Sequence, residues 1–201
     1  MEQLKTPSDI FTADKFSASF VLVNTKTGEG RPKELNDYYR EIAAICLDES
    51  VPEDVRSYFE TIKNVYLYGW FVSAFYTIAM FLSFTVIEMA LRNKFKQDDP
   101  ERDWSFPRLI QEAKKQGLIA SEGFPSVKAR RDYEASFERE GGPSLGQPVP
   151  DYCSILEKSV PYLRNSFAHP EIDQKAGPGD AYASLIIASE FINQLFNGRP
   201  T

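Results

Sequence analysis

Asn64–Ile87 reads NVYLYGWFVSAFYTIAMFLSFTVI, 24 positions without a charged side chain. As a helix, a run of that length reaches across a bilayer. The same run also carries Asn64, Gly69, Ser73, Thr77, Ser83, Thr85 and three tyrosines. Its helical spacing continues without a break into EMALRNKFK (Glu88–Lys96), where charge returns. A central bundle helix, covered by neighbours on most sides, has this composition. We therefore read one long core helix of a soluble protein, with no membrane partner.

The rest of the chain fits that reading. Its 201 residues suit one domain with a real core. Against 23 Lys+Arg stand 29 Asp+Glu, a net charge of −6. That balance argues against a general nucleic-acid coat, although a local basic site stays open. Cys46 and Cys153 are far apart, and there is a single histidine, so no zinc spacing exists. No metal and no cofactor are expected, and a reducing, cytoplasmic setting is the natural one. The start, MEQLKTPSDIF, lacks the apolar centre of a signal peptide.

Residues 1–30 read as an N-terminal arm or extended segment, with KFSASFVLV weakly alternating and NTKTGEGRP rich in turn formers. Residues 31–201 read as one helical domain. In ELNDYYREIAAICL, the positions Leu35, Tyr38, Tyr39, Ile42 and Ile45 form a stripe. Pro52 and two acids suit a helix start, and that helix leads into the long apolar one, which stops before Pro100. Ser105 and Gly117 bracket a further helix, and PSVKARRDYEASFERE is a more polar one. The broken GGPSLGQPVP is a loop. DYCSILEKSVPYLRNSFA is helical, with Pro161 expected to kink it or begin a new segment. A last helix is capped by Asp180 and stopped by Gly198, with Leu185, Ile186, Ile192, Leu195 and Phe196 inward. The fold class is all-α: an up-and-down bundle of four or five main helices with an extended N-terminal arm.

RNSFAHP (Arg164–Pro170) holds the one histidine, His169. Five positions on an unbroken helix leave Arg164 and His169 about 140° apart. Pro170 biases His169 out of the helical region, so the imidazole is free to fold back over the last turn. Arg164 borders the apolar stripe, and Asn165 adds a donor and an acceptor. An imidazolium at a helix C-terminus also simply faces unpaired carbonyls, and a border arginine also simply covers apolar surface. Spacing alone does not separate these readings.

The segment YLRNSFAHP resembles the signature of the HEPN families (higher eukaryotes and prokaryotes nucleotide-binding domains): an arginine, a polar residue, three more positions and a histidine near a helix end. Arg164, Asn165 and His169 match it one by one. The helical order around it, over about residues 50–197, is similar to that of uncharacterised bacterial members, and the arm is unmatched. The resemblance implies a metal-independent endoribonuclease that is a toxin or defence component, with Arg164 and His169 as catalytic residues acting across a homodimer interface. It equally implies the alternative of a non-catalytic module that binds RNA, a nucleotide or a protein partner. An antitoxin protein is a further partner implied for the toxin form.

Other residues join these as candidates. Phe81, Phe84, Glu88, Arg92 and Phe95 share a helical face. Glu88 and Arg92 read either as an ordinary i,i+4 ion pair or as supporting groups that orient Arg164 or His169. Lys94 and Lys96, and Lys128, Arg130 and Arg131, are candidate RNA-binding residues, or solvated helix faces.

Overall fold

The computed structural model describes residues 4–96, 103–142, 151–168 and 176–197. Among them lie seven α-helices and one two-stranded sheet, so the chain is an all-α bundle. The helices are α1 (Leu35–Ala43), α2 (Glu53–Tyr68), α3 (Ala74–Lys96), α4 (Phe106–Lys115), α5 (Pro125–Arg139), α6 (Tyr152–Ala168) and α7 (Pro178–Asn197). At the centre is α3, packed against α7, α2, α6 and α4. It is long and apolar enough to cross a membrane, yet half of its most apolar stretch is buried inside the bundle. Glu88 lies buried near the end of that helix, in keeping with a core helix.

The uninterrupted helix expected through 64–87 is not what forms. Helix α2 ends at Tyr68, and a chain of tight turns occupies 69–73 before α3 begins. Periodicity carries straight through, but tertiary packing decides. The Tyr76 ring lies where a side chain on Gly69 would stand, so the turn folds back onto its own glycine. Helix ends leave carbonyls without partners. Here the Gly69 carbonyl accepts a hydrogen bond from Ser17 Oγ at 2.8 Å, and the Trp70 carbonyl accepts one from the Asp14 N–H at 2.8 Å. The N-terminal segment thus seals the α2–α3 break.

That segment contains a short antiparallel hairpin, β1 (Val21–Val23) and β2 (Gly30–Pro32), with Leu22 opposite Arg31. Gly28 supplies the positive φ of its turn. Arg31 then reaches α1 and donates from both terminal nitrogens to Asp37, each at 2.7 Å. That guanidinium holds the Asp37 carboxyl well below the usual carboxylate range. On α1 the apolar stripe is narrower than its spacing suggests. Tyr38, Ile42 and Ile45 are buried, while Tyr39 is 57% exposed. Tyr39 and Leu35 instead line a groove of about 250 Å³ between α1 and α2.

Two further helix details refine the expectation. Pro161 does not begin a new segment; the helix runs from Tyr152 to Ala168 with Pro161 inside. Its missing N–H removes one bond, and burial of Val160 and Leu156 on the same helix offsets that loss. Asp180 does not cap α7 from outside. It sits within the first turn and accepts from the Gly177 N–H at 2.9 Å. Gly198 lies outside the described residues, as do residues 143–150 of the expected GGPSLGQPVP loop and Pro100.

Candidate functional site

Glu88 is the centre of the site. It projects from α3 toward α6 and is 8% exposed. A carboxylate taken out of water is costly unless its oxygens are paired. One oxygen, Oε1, accepts from Arg92 Nη2 at 2.8 Å and from Arg92 Nε at 3.1 Å. The other, Oε2, pairs with Arg164 Nη2 at 3.1 Å. The first contact is an i,i+4 pair in its favourable order, acid before base. The second spans 76 positions of sequence (164 − 88) and ties α6 to the central helix.

Two guanidiniums therefore share one carboxylate, a local charge of +1 from these three groups. Both arginine side chains are about one third exposed, 33% for Arg92 and 35% for Arg164, so each is held by its guanidinium on Glu88 while part of it still reaches water. Arg164 Nη1 also donates to Asn165 Oδ1 at 3.0 Å. Its Nε is buried and has no hydrogen-bond partner among the described residues. Asp103 approaches Arg92 at 3.7 Å but is 97% exposed, so water screens that contact. Guanidiniums fixed in this way are suited to grip a phosphate with paired N–H groups.

No family model, curated protein or solved structure matches this chain. The site is read from its own chemistry.

Of the residues singled out in the sequence, the structure brings together Glu88, Arg92, Arg164 and Asn165. His169 lies outside the described residues. Lys94 turns to the other flank of α3, where its Nζ lies 5.3 Å from the centre of the Phe196 ring on α7. Lys96 is exposed at the end of α3. Lys128, Arg130 and Arg131 are exposed on α5, where Arg130 pairs with Glu134 and Arg131 with Glu122. Helix α5 begins beside Tyr152, whose ring packs against Phe124 at 4.9 Å. Arg164 is twelve residues further along α6, about 18 Å away along the axis. The α5 cations thus attach at the far end of α6 from Arg164.

Two groups of polar residues escaped the sequence reading. At the start of α6, Asp151 accepts from Lys114 Nζ at 2.6 Å, from Ser121 Oγ at 2.7 Å and from Ser154 Oγ at 2.8 Å. These donors, Lys114 first, hold its carboxyl well below the usual range. Ser121 Oγ in turn accepts from the Cys153 N–H at 3.1 Å, and burial pushes the Cys153 thiol up. The second group is Trp104 and Arg108 at the start of α4, where the guanidinium lies over the indole at 5.0 Å. Their i,i+4 aromatic–cation spacing was the available signal; the ordinary amphipathic pattern of α4 masked it. Among the described residues, no cluster of three or more His, Cys, Asp or Glu side chains is placed to hold a metal ion.

Proposed function

We propose that this protein is a metal-independent endoribonuclease of the HEPN type, acting as a cytoplasmic homodimer and serving as a toxin or defence component. One observation carries the reading: a buried carboxylate on the central helix fixes Arg164 beside Arg92, at the end of α6 whose sequence runs on to the only histidine.

RNA carries its own nucleophile. The 2′-hydroxyl attacks the adjacent phosphorus, the new 2′-O–P bond forms and the P–O5′ bond breaks, leaving a 2′,3′-cyclic phosphate and a 5′-hydroxyl. One proton must leave the 2′-oxygen and one must reach the 5′-oxygen. Imidazole can carry either proton near neutral pH. Arg164 stabilises the charge that grows on the phosphoryl oxygens. Glu88 positions Arg164, and Arg92 adds a second cation. One histidine cannot be base and acid in the same step, so a second copy related by a two-fold axis supplies the other.

The test is cleavage of labelled single-stranded RNA in the presence of EDTA. Wild type cuts; His169→Ala and Arg164→Ala do not, while both keep the helical signal of the folded protein. Sedimentation at micromolar concentration gives a dimer. Wild-type cleavage by His169→Ala, in a preparation free of contaminating nuclease, overturns the mechanism. Tight RNA binding without cleavage by any form points to the binding-module alternative.

A further inference from the structure

Helices α4 and α6 run antiparallel. Lys114 meets Asp151 and Ser154 near the start of α6, and Gln111 Nε2 reaches Glu157 one turn on, at 3.5 Å. One further turn back along α4 brings Arg108, and the chain before it, toward the Arg164 end. Contacts from α3 agree: Arg92 approaches Asp103, and the Phe95 ring packs on Trp104 at 5.6 Å. Along this line lies an open cleft of about 520 Å³, lined among others by Ser105, Arg108, Gln111 and Lys115. Arg108, Gln111 and Lys115 are exposed in it.

We propose that this α4 cleft is a subsite for the single-stranded RNA flanking the scissile phosphate, a proposal that rests on the ribonuclease reading. Arg108, set over the Trp104 ring, offers the outer face of its guanidinium to an unpaired base. Lys115 lies at the far end of the cleft and gives a phosphate contact, and Ser105 and Gln111 offer hydrogen-bond groups between them. Glu112 and Glu157 share the wall, where Glu112 lies 3.9 Å from Lys115 and Glu157 accepts from Gln111. These two carboxylates balance Arg108 and Lys115 in charge, so preference for a single strand rests on stacking at Arg108, which a paired base cannot reach. The cations that flank the site in space thus belong to α4, and those of α5 lie at the other end of α6.

The experiment uses the full-length protein and a fluorescent eight-nucleotide RNA made uncleavable by 2′-O-methyl groups, with its duplex as control. Anisotropy should show the single strand bound more tightly than the duplex. Arg108→Ala should weaken single-strand binding on the order of tenfold or more. Lys115→Ala should reduce the salt dependence of binding by about one released ion. Lys26→Ala in the β1–β2 turn should leave binding unchanged. With cleavable RNA, Arg108→Ala should raise KM and leave kcat near wild type. Unchanged affinity and KM in Arg108→Ala, or equal binding of duplex and single strand, overturns the subsite. Those outcomes leave the ribonuclease reading intact if Arg164→Ala still abolishes cleavage. Conversely, if no form cleaves, the anisotropy series alone decides the cleft, and absence of single-strand binding to wild type overturns it.

Discussion

Helix α6 meets a carboxylate–cation cluster near each end, and the two differ in charge balance: one cation for Asp151, two for the more deeply buried Glu88. At its start, Asp151 receives Lys114, Ser121 and Ser154, and Ser121 is itself bonded by the Cys153 N–H. Both carboxylate oxygens are used, and the cluster stitches α4, the 121–123 turn and α6 together. Toward its other end, Glu88 divides its two oxygens between two guanidiniums, each about one third exposed. The first arrangement spends its polar groups on the fold. The second leaves positive charge in surplus, held in place and facing water, which is what a phosphate requires.

The largest expected contrast is catalytic. Arg164→Ala should lower RNA cleavage by about 10²–10³-fold, the usual cost of losing a donor to a developing oxyanion. Asp151→Ala should leave cleavage within about twofold once unfolded protein is discounted. Single-turnover kinetics on RNA, paired with thermal melts, check both. A catalytic loss in Asp151→Ala equal to that of Arg164→Ala would erase the distinction between the two ends.

Next comes Glu88. Glu88→Gln keeps the volume but leaves two guanidiniums side by side with a neutral partner. Cleavage should fall about 10-fold or more through misplacement of Arg164, as loss of an orienting group does. Stability should fall by about 1–3 kcal/mol, less than the full cost of breaking a buried pair because both arginines reach water. Urea melts and kcat measured on the same preparation separate the two effects.

At the Asp151 end the loss is one of stability alone. Removing the Asp151 carboxylate leaves Lys114, Ser121 and Ser154 without their shared acceptor and should cost about 1 kcal/mol, read as a lower urea midpoint with unchanged slope.

The smallest effect is the pH response. Because its folded value is depressed, the Asp151 carboxyl contributes stability that is fully present above its unfolded value of about 4. That contribution is lost only as pH falls below about 4. Asp37, held by Arg31, behaves in the same direction. Melts between pH 7 and 5 should therefore show no change from either group, while an imidazole-dependent cleavage rate varies in that range. A wild-type minus Asp151→Ala stability difference that shrinks between pH 7 and 5 would contradict the assignment.

Much of the framework was legible in the sequence because it is local. Apolar spacing, Pro52, Ser105, Gly117 and the acids at helix starts mark the helices. The Glu88–Arg92 pair follows from four residues of helix, and Arg164 stands at the border of its apolar stripe for the same reason. What only the tertiary structure decided depends on partners distant in sequence. The break after Tyr68 is set by the Tyr76 ring on Gly69 and by Asp14 and Ser17 reaching its carbonyls. Helical periodicity cannot register such contacts, because it describes one face of one segment. The union of Glu88 with Arg164 requires α3 and α6 to pack side by side, and that packing also turns Lys94 toward α7 and leaves the α5 cations at the far end of α6. A sequence fixes which side chains share a face; which faces meet follows from burying all of them at once.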